Sequence, residues 1–371
     1  MRIKWFLGWI VAVFTLTVAT LCQTDEIPTR VTDQNRTGDL PFSATVGTDI
    51  ESVDIATGAL HVRVPIVQVK GRGLDYDFHL YYDSNVFVLA SRLDQFNDTY
   101  HQWTLDTNSG RIAIGWGENR PYWSGTTSTF SCQLQTETYI SHLIYHDENN
   151  GKHAFASQKS FSGPCPMNDL SGPDQAAQGM LGKVGMSQVT GSGYDANGTQ
   201  IGASQEDSNG NMMTWASGGQ DSLGRTLVSL QTVGNQKTYS VKDSSGAIQS
   251  YIVNLDSTYP ASTAFPDEPG AGSGVLKQYR QSATIIPSVV LPNGRSYVFK
   301  YDQPNPFAYG NIVEIDLPTG AVVTYAWNTF KNGDFSYSRK VTDRTVTVGG
   351  QQYHWHFDYT VSTVTVTDPV T

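Results

Sequence analysis

Charged residues are scarce in this chain. They make up 16% of 371 residues, and lysine and arginine (24) fall short of aspartate and glutamate (34), giving a formal charge of −10. A surface of that sign repels phosphate backbones, so no nucleic acid is expected among its partners. Cysteine is rarer still: Cys22, Cys132 and Cys165 are the full complement, with no Cys-x-x-Cys spacing for a zinc site. A glycine-rich phosphate loop and a dinucleotide fingerprint are both missing. So is a Gly-x-Ser-x-Gly elbow; Gly191-Ser192-Gly193 comes nearest, but it lacks the spacing and no helix follows it. No cofactor is expected.

One long apolar run occurs, from Trp5 through Leu21, preceded by Arg2 and Lys4 and followed by the first acid at Asp25. Basic, then apolar, then polar is the order of an export signal. Residues 1–22 therefore read as a signal helix, with cleavage around Cys22–Thr24. The run is at the lower limit for a membrane span, so a retained anchor fits it as well. Residues 23–45 are polar and irregular and read as a flexible lead segment. In an oxidising compartment Cys132 and Cys165 are expected to pair as a disulfide; two separate buried thiols are the alternative.

What is abundant is glycine (35), tyrosine (19), and with them serine, threonine and asparagine. That composition predicts an all-β protein of many short antiparallel strands and tight turns. Two regions are expected, 46–190 and 191–371. In the first, Val53 and Ile55 alternate, Ala56–Ala59 turns, and Leu60, Val62, Val64 and Ile66 alternate again, the pattern of a hairpin. Leu74, Tyr76, Phe78, Leu80 and Tyr82 mark a further strand, and Ile112, Ile114 and Trp116 another. Residues 159–190 read as a long loop with one weakly helical patch, Asp174–Leu181. Residues 254–283, rich in proline, glycine and serine, read as a second loop.

In the second region the turns share a form. Asp195–Gly198, Asp207–Gly210, Asp221–Gly224 and Asp243–Gly246 each start on aspartate and end on glycine. Aspartate bonds its own turn backbone, and glycine takes the positive φ that the fourth position needs. Leu291-Pro292-Asn293-Gly294 and Leu317-Pro318-Thr319-Gly320 recur 26 residues apart, and each feeds a strand with alternating aromatics. A period of that length marks a stacked or spiralling architecture. Tyr353–Thr367 reads as a final strand with a shift in phase. Asp368-Pro369-Val370-Thr371 then reads as the start of another turn, so further repeats are expected to follow and the last strand is expected to have an unpaired edge.

Three stretches resemble bacterial Rhs/YD-repeat proteins. They are Val53–Leu60 running on to Leu80-Tyr81-Tyr82-Asp83-Ser84, the turns Asp207–Asn211 and Asp221–Arg225, and Tyr309–Gly320 with the strand after it. The resemblance implies a spiral of strands forming a β-walled shell, which in toxin members encloses a C-terminal effector. The chain lacks the long repeat array, the motif that closes the shell and any effector, which sets a toxin role aside for this chain alone. The implied function is an exported, non-catalytic scaffold that meets other chains or further repeats through β edges. The alternative is a module that binds cell-surface carbohydrate, or a β-enzyme acting on polysaccharide.

Candidate chemistry is sparse. Trp116, Tyr122 and Trp123 form the densest aromatic stretch and are the candidate sugar-stacking residues; burial in the core is the competing expectation. His354 and His356 fall on one strand face, where two imidazoles suit a metal, but no third ligand is evident in sequence. His142 and His146 near Asp147 and Glu148 suggest acid/base chemistry, although a turn accounts for the acids.

Overall fold

The computed structural model describes residues 44–369 apart from 71–73, 94–98, 106–110, 133–134, 147–151, 155–172, 176–180, 185–190, 195–198, 202–203, 215–218, 244, 267–275, 305, 334–335 and 361. The expected signal helix and nearly all of the expected lead segment thus lie outside the described residues, as do Cys165 and the turn Asp195–Gly198. All described residues belong to one unit, Gln34–Thr371.

The described chain is all-β and holds no helix; its strands pair antiparallel, except for Leu276–Lys277, which runs parallel to Thr99–Leu105. Two sheets carry the core. The first has five strands: Thr45–Gly47, Glu51–Asp54, Leu60–Val69, Tyr76–Asp83 and, on its far side, Trp116–Glu118. Its first hairpin turns where the alternation breaks. Val53 pairs with Leu60 across the turn. The Asp54 carboxylate accepts the Thr57 amide at 2.8 Å there, and Gly58 takes a φ of 70°. Val62, Val64 and Ile66 point inward and Arg63 and Pro65 outward, as period-two alternation requires.

The second sheet has ten strands in nearly sequential order: Val228–Val233, Gln236–Lys242, Ile248–Ser262, Arg280–Val290, Ser296–Tyr301, Ile312–Asp316, Val322–Gly333, Ser336–Val348, Gln351–Tyr359 and Val364–Thr367. Each strand pairs with the next, so short-range hairpins build the whole sheet.

One apolar cluster joins the two sheets. Phe78 meets Tyr239 at a centroid distance of 5.4 Å, and Trp116 lies edge-on to Phe299 at 4.7 Å. Polar side chains cross the same interface. Tyr82 donates to the Gly310 carbonyl at 2.9 Å, and Tyr239 donates to Glu118 at 2.6 Å. Residues from both halves of the chain therefore share one interior.

Four expectations need correction. The stretch 254–283 is not a loop throughout: two strands enter it, to Ser262 and from Arg280, and a third, Leu276–Lys277, lies within it. Tyr259, Ala261, Ala283 and Ile285 face inward at alternate positions, and bulges around Asp256 absorb the irregularity that proline and glycine suggested. The helical patch is absent at its described ends, because Pro173–Gln175 and Leu181–Val184 pair as strands. Ile112–Gly115 is a bend, closed by Trp116 N–H to Ala113 O at 3.1 Å with Gly115 at φ 73°, and the strand starts only at Trp116. The run Tyr353–Thr367 is a hairpin, in which the phase shift is the turn Thr360–Thr363.

Candidate functional site

The turns come first because they recur. In Asp207–Asn211, Asp221–Arg225, Asp243–Ala247, Leu291–Arg295 and Leu317–Ala321 the backbone does one thing. The first N–H donates to the fifth carbonyl and the glycine N–H donates to the first carbonyl, at 2.8–3.3 Å. Gly210, Gly224, Gly246, Gly294 and Gly320 take φ values of 72–89°. This is a type I turn continued by a left-handed residue, the common three-residue hairpin connection.

The first residue sets the turn's chemistry. Each aspartate carboxylate accepts two amides of its own turn: Asp207 those of Asn209 and Asn211, Asp221 those of Leu223 and Arg225, Asp243 those of Ser245 and Ala247. Hydrogen bonds from Ser245 and then Gln249 hold the Asp243 carboxyl down at about 2. Leu291 and Leu317 instead pack against the core, and the second positions, Pro292 and Pro318, pre-set the turn's φ.

The candidate sugar platform is taken apart. Trp116 is fully buried, 0% exposed, and its indole N–H donates to Tyr301 at 2.8 Å. Tyr122 is half-buried and stacks on His146 at 4.1 Å. Trp123 lies on the same strand, Tyr122–Cys132, paired with Tyr145. Trp116 cannot offer a face to a ligand, and core packing has claimed it. Cys132 ends that strand; its proposed partner Cys165 lies outside the described residues.

His354 and His356 do share an exposed face, and the third group that sequence lacked is Asp343 on the neighbouring strand. His354 Nε2 lies 3.1 Å and His356 Nδ1 2.8 Å from one Asp343 oxygen. Among the described residues no group of three His, Cys, Asp or Glu side chains is arranged to hold a metal ion. The carboxylate is a bridge between the two rings. Of the His142 cluster, His146 is buried against Tyr122, and Asp147 and Glu148 lie outside the described residues.

Buried carboxylates serve structure. Glu51 is clamped by Arg344 and Tyr325. Asp302 accepts Tyr259 at 2.6 Å and the amides of Tyr309 and Asn311, while its burial raises the carboxyl above its usual range. These bonds leave neither acid facing open space in a groove.

Two surface features remain. The ten-stranded sheet has two edge strands, each paired on one side only among the described residues: Val364–Thr367, at the end where sequence placed an open edge, and Val228–Val233. The latter holds no charge, proline or bulge, and Leu230 and Val233 are exposed. The second is a groove of about 410 Å³ formed by Pro65, the strand end Gln249–Tyr251, the turn Leu291–Asn293 and Tyr297. Burial, and then the charge of Tyr251, raise the Tyr297 hydroxyl above its ordinary range. Sequence reading missed the groove because four separated segments build it. No family model matches the chain, and no curated protein is significantly similar to it.

Proposed function

We propose that this protein is an exported, non-catalytic scaffold, a section of an Rhs/YD-repeat-like β-shell at the cell envelope or outside it, that joins other chains or further repeats through its sheet edges. The observation that carries this reading is the edge strand Val228–Val233. Natural edge strands are guarded by lysine, proline, bulges or short length. This one runs six residues in regular register with its neighbour and has none of the first three guards. Every second N–H and C=O on its open side wants an extended partner. The nearly sequential ten-strand order and the recurring turns add support, because sheets of this kind lengthen one hairpin at a time.

The test is association. Light scattering over a concentration series should show the chain self-associating or pairing with a neighbouring repeat segment, and Leu230→Lys should suppress this at least fivefold without lowering the melting temperature. A strict monomer at high concentration, with amides of 228–233 protected from hydrogen exchange, would overturn the edge reading. For export, intact-mass analysis of protein recovered outside the cytoplasm should show a mature start near residue 23; full-length protein confined to the cytosol of its native host would count against it.

A further inference from the structure

The groove beside Tyr251 combines features that edge pairing does not use. Tyr251 and Tyr297 stand on the inner face of the ten-stranded sheet, where the rows Tyr239–Tyr251 and Val253–Val289–Tyr297 run across neighbouring strands. Pro65, an outward residue at a bulge of the five-stranded sheet, closes the opposite side. The aspartate-led turn at 243 and the leucine-led turn at 291 fix the ends: Gln249 donates its amide N–H to Asp243 at 2.8 Å, and Asn293 accepts the Arg295 amide at 3.0 Å through its side-chain oxygen. Among the described residues each amide thus has one half engaged by the fold and the other half left over, an acceptor oxygen on Gln249 and a donor NH₂ on Asn293. Among the described residues the hydroxyls of Tyr251 and Tyr297 make no hydrogen bond, although both tyrosines line the groove.

We propose that this groove is a binding site for a neutral oligosaccharide. Its size falls in the range of small-ligand sites, roughly 300–1,000 Å³. Sugar rings present apolar C–H faces that suit tyrosine and proline surfaces, and hydroxyls that both donate and accept. The groove offers both functions: a free acceptor, a free donor and two phenols able to do either. Among the described residues no charged side chain lines it, and the chain carries a net charge of −10, so uronic or sialic acids gain nothing and are repelled at long range. A proline-rich peptide suits aromatic grooves too. It brings carbonyl acceptors and few N–H donors, however, and leaves the Gln249 oxygen without a partner, which favours the saccharide. The rings are held by strand pairing and the amides by turns, so the site is preorganised and loses little entropy on binding.

The test uses the full chain on an array of neutral hexose and N-acetylhexosamine oligosaccharides printed beside sialylated and uronic-acid glycans, with a proline-rich decapeptide as competitor. Binding is expected among the neutral glycans and unaffected by the peptide. Tyr297→Phe, which removes only a hydroxyl, should weaken it about threefold to tenfold with an unchanged melting temperature, and Tyr251→Ala, which also removes a ring packed against the core, at least tenfold. Leu230→Lys should leave binding as it is, which separates this site from the edge. The proposal falls if no neutral glycan binds, if the acidic glycans or the peptide are preferred, or if the two tyrosine variants bind like the parent. If Tyr251→Ala melts early, Gln249→Leu takes its place, and binding unchanged in a folded Gln249→Leu overturns the proposal equally.

Discussion

Glu51 and Arg344, 293 residues apart in the chain, form a fully buried ion pair that locks the first sheet onto the second. Arg344 Nε donates to one Glu51 oxygen at 3.0 Å and its terminal NH₂ to the other, while Tyr325 donates at 2.7 Å. The Trp355 ring covers the guanidinium at 4.4 Å. Removing one partner strands a charge in an apolar interior, at a cost of about 3–5 kcal/mol, whereas replacing both with apolar groups of similar size is often close to neutral. Arg344→Met is therefore expected to lower the urea midpoint sharply, and Glu51→Leu combined with Arg344→Met to recover most of the loss. A single variant within about 1 kcal/mol of the parent would show that the pair is not desolvated as described.

The glycines divide into two kinds. A Cβ at Gly294 or Gly320 meets nothing within 4 Å, so only backbone strain at φ 79° or 89° opposes a side chain. Gly294→Val and Gly320→Val should each cost about 1–2 kcal/mol. At Gly310 a Cβ would sit 2.5 Å from Ile114 Cδ1, in the core. There even alanine adds overpacking of about 1–3 kcal/mol to the same strain. Chemical denaturation should rank Gly310→Ala as the most damaging of the three.

The two kinds of aspartate respond to acid in opposite senses. Asp243 titrates near 2 in the folded chain, below its ordinary 3.8, because Ser245, Gln249 and its own turn bond the charged form. That stabilisation is present above the ordinary value and is lost as pH falls through about 2. Asp302 is raised by burial, so the folded chain binds its proton more readily than the unfolded chain does. Its protonation favours folding at acid pH, and the advantage disappears as pH rises through the folded value. Carboxyl carbon shifts followed by NMR should give midpoints on either side of 3.8. Both midpoints on one side would refute the assignment.

How much of this was legible in the sequence depended on distance along the chain. The turns were readable because Asp-x-x-Gly and Leu-Pro-x-Gly carry their own geometry in four residues. The strands at 60–66 and 76–82 were readable from strict alternation. Residues 254–283 misled because proline, glycine and serine counts drowned the inward positions Tyr259, Ala261, Ala283 and Ile285. The phase shift after Tyr359 was visible, yet its meaning as a turn depended on Val364–Thr367 folding back onto Phe357 and its neighbours. Nothing local marks Glu51 for Arg344, or Pro65 for Tyr251. Sheet packing makes those pairings, and no period along the chain encodes them. Trp116 was noticed for its aromatic neighbours, while its real partners, Tyr301 and Phe299, lie far downstream.

That partnership gives the last prediction. Tyr301 accepts the Trp116 indole N–H at 2.8 Å and donates its own O–H to the Ile286 carbonyl at 2.9 Å, all at buried positions. Tyr301→Phe keeps the ring and its packing but leaves an indole N–H and a carbonyl without partners, each in a place water cannot reach. An unsatisfied buried group costs about 1–3 kcal/mol, far more than the hydroxyl's small volume would suggest. The variant should fold with an unchanged glycan profile and a clearly lowered denaturation midpoint. A Tyr301→Phe protein as stable as the parent would mean that Trp116 is not held inside the core, and would reopen it as a surface platform for sugars.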